Sequence, residues 1–86
     1  MFTGIIETLG TVAQVTKEGS NFHFDIVSPI TQELRVDQSV SHNGVCLTVV
    51  AIHGDSYRVT AIDETLQKTN LKSWKPGKKV NLERCM

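Results

Sequence analysis

At 86 residues the chain has the length of one domain, and a domain of that size buries only about 60 to 65% of the surface its unfolded form exposes. Nine Lys and Arg balance nine Asp and Glu, so no whole-molecule field gathers phosphates, and generic adhesion to nucleic acid or membrane gets no support from charge. The longest uninterrupted apolar run, Val49-Val50-Ala51-Ile52, falls far short of the roughly 20 residues a membrane helix needs.

In chain order, the first segment is the least tidy, because Ile5, Ile6, Leu9, Val12 and Ala13 would also mark one face of a helix. Thr8, Thr11 and Thr16 are β-branched and Gly10 weakens a helix, so a strand is expected, with Gly10 as a bulge or bend. Phe22, Phe24 and Ile26 share one parity, as a half-buried strand requires. Ser28-Pro29 then suits the opening of a short helical turn. Asn43-Gly44 lies between β-rich runs, where both residues accept the positive φ of a type I′ hairpin.

Val45, Leu47 and Val49 fall on one side of the next strand, and Gly54-Asp55 makes the following turn. Tyr57, Val59 and Ala61 again alternate. A second helical turn is expected at Asp63-Glu64-Thr65-Leu66, with Asp63 suited to capping. Pro76-Gly77 fits the central positions of a type II turn, and a last strand carrying Val80 and Leu82 should begin near Lys79. The expected fold is all-β: a six-stranded closed Greek-key barrel with one or two short helical turns, forming a single domain over residues 1–86.

Parity also defines a second face. If Val45, Leu47 and Val49 point inward, Cys46, Thr48 and Val50 point outward, and Thr60 and Ile62 join them from the neighbouring strand. Mixed hydroxyl and apolar surface of this kind suits a flat heterocycle with hydrogen-bonding edges. On the residues alone, Thr48 and Thr60 read first as ordinary exposed strand residues chosen for β propensity.

Other chemistry is thinly supported. Cys46 reads as a packing group or pocket wall, and His23 and His53 have no metal-ligand spacing with the cysteines, so no metal is expected. His42, beside a hairpin, is expected to bond local backbone. Ser41, His42 and Asp55 assemble a triad on paper only, with no nucleophile elbow to support it. Cys46 and Cys85 are too few for a disulfide framework, and no charged-then-apolar leader precedes the first strand, so a cytoplasmic location is expected. Residues 65–86 hold six Lys or Arg against one Asp or Glu, yet Trp74 and Tyr57 are the only aromatics near that end, too few for a nucleic-acid stacking platform.

The opening Met1-Phe2-Thr3-Gly4-Ile5-Ile6, the internal Ser41-His42-Asn43-Gly44-Val45-Cys46-Leu47-Thr48-Val49, and Asp63-Glu64-Thr65-Leu66, Thr69-Asn70-Leu71 and Gly77 to Arg84 occur in an order that resembles the N-terminal barrel of riboflavin synthases. That family makes riboflavin from two molecules of 6,7-dimethyl-8-ribityllumazine and carries two such barrels in tandem. The resemblance implies the same fold here, with the second barrel absent, and a lumazine or riboflavin site at Gly4, Ile5, Ile6, Ser39, Cys46, Leu47, Thr48, Thr60, Ala61, Ile62, Asp63, Glu64 and Thr65. It places Phe2 and Thr3 at the junction with a partner barrel and leaves the proton-transfer groups unassigned. It further implies that no cofactor is required, that the ligand is the bound substrate or product, and that the isolated barrel forms a homodimer where the full-length family forms trimers. A non-catalytic flavin or lumazine carrier shares the same resemblance.

Overall fold

Apolar residues at every second position commit each strand to one buried face, and closure into a barrel removes the unpaired edges that a small open sheet would expose. The computed structural model describes residues 8–84. Its strands are β1 (Thr8–Glu18), β2 (Asn21–Val27), β3 (Ser39–His42), β4 (Val45–His53), β5 (Ser56–Ala61) and β6 (Lys79–Arg84). All pair antiparallel in the order β1-β2-β5-β4-β3-β6, and β6 returns to β1 to close the barrel. The jump from β2 to β5, with the β3-β4-β5 meander beside it, is the expected Greek key.

Phe24, Ile26, Val40, Leu47, Val49, Tyr57, Val59, Ala61, Val80 and Leu82 fill the interior, each at most 5% exposed. A short helix, α1 (Asp63–Lys68), and a 3₁₀ turn at Leu71–Ser73 add Leu66, Leu71 and Trp74 to this core. The Trp74 ring meets Phe24 edge-on with centroids 5.3 Å apart, a favoured aromatic geometry.

Turn chemistry follows the sequence closely. Asn43 and Gly44 adopt φ of 52° and 87°, as the hairpin between β3 and β4 demands. Four details differ from expectation. Gly10 is not a bulge: the register shifts lie between Val12 and Gln14 and between Val49 and Ala51. A Cβ at Gly10 would sit 2.8 Å from both Ile26 Cγ2 and Leu82 Cδ1, so glycine is there to let neighbouring side chains close over the strand.

The helical turn expected at Ser28-Pro29 runs instead over Thr31–Glu33. Ser28 anchors it from outside, its carbonyl accepting from the Thr31 amide at 3.3 Å while the two hydroxyls lie 2.9 Å apart. Asp63 does not cap α1; Ile62 holds that position without a side-chain bond, and Asp63 accepts from Gln67 Nε2 at 2.8 Å. The turn at Leu71–Ser73 is an addition that the pattern did not suggest.

Candidate functional site

Strand register brings the outward residues of four strands into neighbouring rows. Ser39 pairs with Thr48 and Ser41 with Cys46 across β3 and β4, while Thr60 on β5 pairs with His23 on β2. Cys46 and Thr48 are exposed and Ser39 and Thr60 are half-buried. Val50 and Ile62, 45% and 53% exposed, add apolar surface to the same face. A flat ring gains apolar cover and hydrogen-bonding groups from such a wall.

The expected site residues divide by what their side chains can do. Leu47 and Ala61 point into the core, so only their backbones are available to a ligand. Asp63, Glu64 and Thr65 lie together on α1, directly after β5. Glu64 accepts from Lys68 Nζ at 2.9 Å, a surface pair one helical turn apart, and the Thr65 carbonyl accepts from the Thr69 hydroxyl at 2.8 Å. Phe2, Thr3, Gly4, Ile5 and Ile6 lie outside the described residues.

Beside the Ser39–Thr48 pair, the chain entering β3 bounds an open depression of about 410 Å³ lined by Glu33, Arg35, Val36, Asp37 and Gln38. The Asp37 amide donates to the Val49 carbonyl at 2.8 Å, and the Val49 amide donates to the Gln38 carbonyl at 2.9 Å. These bonds extend the β3–β4 ribbon and hold Asp37 at φ 75°, a left-handed conformation that aspartate tolerates better than most residues. Nothing in the pattern of apolar residues signalled this depression; the irregular Arg35-Val36-Asp37-Gln38 stretch was its only trace.

His42 sits wholly inside the barrel. Its Nδ1–H donates to the Val40 carbonyl at 2.9 Å, because a carbonyl can only accept, and Nε2 therefore accepts from the Tyr57 hydroxyl at 2.8 Å. Burial pushes the imidazole down to about 4, against the opposing pull of hydrogen bonds to the Val40 and Val45 backbone. Burial also pushes the Tyr57 phenol up, keeping it protonated as the donor. The expected local backbone bond is present, but the second bond makes His42 a core residue. Ser41 faces away from this interior, so Ser41, His42 and Asp55 form no relay.

The outward polar row on β2 and β5 is only partly legible in the sequence. Parity marks Thr60, whereas its partner His23, with Nδ1 2.8 Å from Thr60 Oγ1, enters the sequence reading only through metal-ligand spacing. Two residues further along, Arg58 grips Asp25 through Nε to Oδ1 at 2.8 Å and Nη2 to Oδ2 at 3.2 Å. The signal for His23 was its parity opposite Phe22, Phe24 and Ile26. Among the described residues, no group of three or more His, Cys, Asp or Glu is gathered to hold a metal ion.

Comparison with known proteins connects this fold to a family. The model of the lumazine binding domain matches residues 3–85. Riboflavin synthase of Bacillus amyloliquefaciens is 39% identical over 87 residues, and that of Photobacterium phosphoreum 38% over 88. Each alignment takes in 100% of this chain and 40% of the relative, so the chain spans well under half the length of these relatives. Among solved structures, LumP complexed with riboflavin superposes with a TM-score of 0.91 at 31% identity, covering 98% of this chain and 46% of that one. LumP complexed with 6,7-dimethyl-8-(1′-D-ribityl) lumazine gives 0.90, also at 31% identity, over 98% of this chain and 47% of that one. With a family model spanning nearly its whole length and a barrel of the same topology, the chain belongs to the lumazine-binding domain family.

Proposed function

We propose that this barrel is the N-terminal substrate-binding domain of a riboflavin synthase, holding 6,7-dimethyl-8-ribityllumazine or riboflavin against its outer β3–β4–β5 face. The carrying observation is identity of 36 to 39% to riboflavin synthases across the entire chain, higher than the 31% shared with LumP. The face described above supports it: Val50 and Ile62 offer apolar cover, while Ser39, Thr48, Thr60 and Thr65 offer hydroxyls. Gly4, Ile5, Ile6, Cys46, Asp63 and Glu64, with the backbones of Leu47 and Ala61, complete the proposed site, and Phe2 and Thr3 belong to its junction with a second barrel.

In the reaction, one lumazine gives a four-carbon unit to another, yielding riboflavin and a pyrimidinedione without a redox or metal cofactor. The protein's main contribution is to hold two rings in register, which removes the entropy barrier of a bimolecular encounter. A single barrel supplies one of the two ring sites. Alone it is therefore weakly active or inactive, and a homodimer of isolated barrels, in a cytoplasmic setting, imitates the paired arrangement.

Riboflavin fluorescence tests the reading directly, since the flavin reports its own transfer from water into a pocket. Saturable binding near one ligand per chain is expected, with turnover appearing when a C-terminal synthase barrel is added. A folded chain that binds no riboflavin would overturn the proposal; tight binding with no turnover in the presence of the second barrel would identify a carrier instead.

A further inference from the structure

The Thr60 hydroxyl on the proposed ligand face is already engaged from behind. His23 Nδ1 lies 2.8 Å from Thr60 Oγ1, and His23 Nε2 lies 3.2 Å from Glu18 Oε1. The His23 side chain is 16% exposed, so the imidazole has a fixed place between β1 and β5, whereas Glu18 at 78% is largely in water. Strand register explains the arrangement: His23 is flanked by Thr16 on β1 and Thr60 on β5, and Glu18 lies two residues beyond Thr16 on the same side of β1.

An ionised carboxylate can only accept, so the Glu18 contact places a hydrogen on Nε2 of His23. In the neutral imidazole Nδ1 is then a bare acceptor, and the only hydrogen available for the 2.8 Å contact belongs to the Thr60 hydroxyl. The opposite neutral tautomer would set the Nε2 lone pair against the carboxylate. His42 shows the converse arrangement in this molecule, since its Nδ1 faces a carbonyl and must donate.

We propose that His23 is a positioning residue for the ligand face: by taking the Thr60 hydroxyl hydrogen, it leaves Thr60 an acceptor, selecting an N–H or O–H group of the ligand. This rests on the lumazine-site reading and deepens it. A pteridine or flavin offers such donors in its ring imide and in the hydroxyls of its ribityl chain. An unrestrained threonine hydroxyl would rotate to suit either kind of group and discriminate less. The imidazole thus acts on the ligand through Thr60, in the way that groups behind a metal ligand fix its orientation.

The test is riboflavin titration of the full chain and of His23→Phe, His23→Asn, Thr60→Val and the His23→Phe/Thr60→Val pair, with far-UV circular dichroism confirming the fold of each. Thr60→Val should weaken binding about five- to tenfold and His23→Phe about two- to threefold, with the double variant no weaker than Thr60→Val alone, because His23 acts on the ligand only through Thr60. His23→Asn should largely retain affinity, since its amide oxygen can stand where Nδ1 does. Nitrogen-detected histidine NMR should show His23 protonated on Nε2 and bare on Nδ1. Unchanged affinity in both His23 variants, additive effects in the double variant, or a proton on Nδ1 would overturn the proposal while the ligand site stands. Failure of the unsubstituted, folded chain to bind riboflavin would overturn the ligand site and this role together.

Discussion

The two histidines show how far one residue's neighbours decide its chemistry. His42 is neutral in the barrel because burial holds its imidazole near 4, while the unfolded chain returns it to about 6.5. Its contribution is complete above the unfolded value. As pH falls below that, the unfolded state takes up a proton first, and stability is lost until the native imidazole also protonates near pH 4. Urea unfolding should therefore lose about 3 kcal/mol from this group between neutral pH and pH 4. In His42→Leu/Tyr57→Phe, both partners of the side-chain bond are removed together and that part of the pH slope should vanish, while loss of the Nδ1–H donor to the Val40 carbonyl should cost about 1 kcal/mol at neutral pH. On the outer face, Thr48→Val should weaken riboflavin binding by about 1 kcal/mol if its hydroxyl bonds the ring, measured by the same fluorescence titration. Unchanged affinity would assign Thr48 to the scaffold. Parity made Thr48 and Thr60 legible from the chain, since alternation fixes direction. The His42–Tyr57 and His23–Thr60 bonds were not legible, because each joins strands whose register only the closed barrel defines.

Among the elements, the β3–β4 hairpin shows the tightest agreement between local chemistry and fold. Asn43 does more than accept a positive φ. Its amide donates to the Asn81 carbonyl at 2.8 Å, and its Oδ1 accepts from the Asn81 amide at 2.7 Å, so the turn also clamps β6. Gly44→Ala, at φ 87°, should lower unfolding free energy by about 1 kcal/mol in denaturant titration. Strand β1 makes the complementary point. Gly10→Ala must displace Ile26 and Leu82 from 2.8 Å contacts and should destabilise by about 1 to 3 kcal/mol. A loss below about 0.5 kcal/mol would mean that these side chains repack freely. Strand identity and the type I′ turn were readable because each follows from residues adjacent in sequence. The true role of Gly10 was not, since it depends on Ile26 and Leu82 brought in from β2 and β6, and the bulges were not, since they belong to the pairing of β1 with β2 and of β4 with β5.

For the whole molecule, pairing is uneven among the described residues. The β2–β5 ladder matches six residue pairs, from Phe22 with Ala61 to Val27 with Ser56. Within the described residues the ladders of β6 are shorter, four pairs with β1 and three with β3. Native-state hydrogen exchange should accordingly find β6 amides opening before those of β5. Equal protection across both strands would show instead that the barrel opens only as a unit. The lateral bond from Lys79 Nζ to the Thr11 hydroxyl at 2.9 Å crosses the β1–β6 seam, joining positions 68 residues apart. During synthesis this separation acquires a temporal meaning. The first strand must wait, with one side unpaired, until the chain through β6 has left the ribosome, so a nascent barrel stays an open sheet, exposed to mispairing, until β6 arrives to seal it.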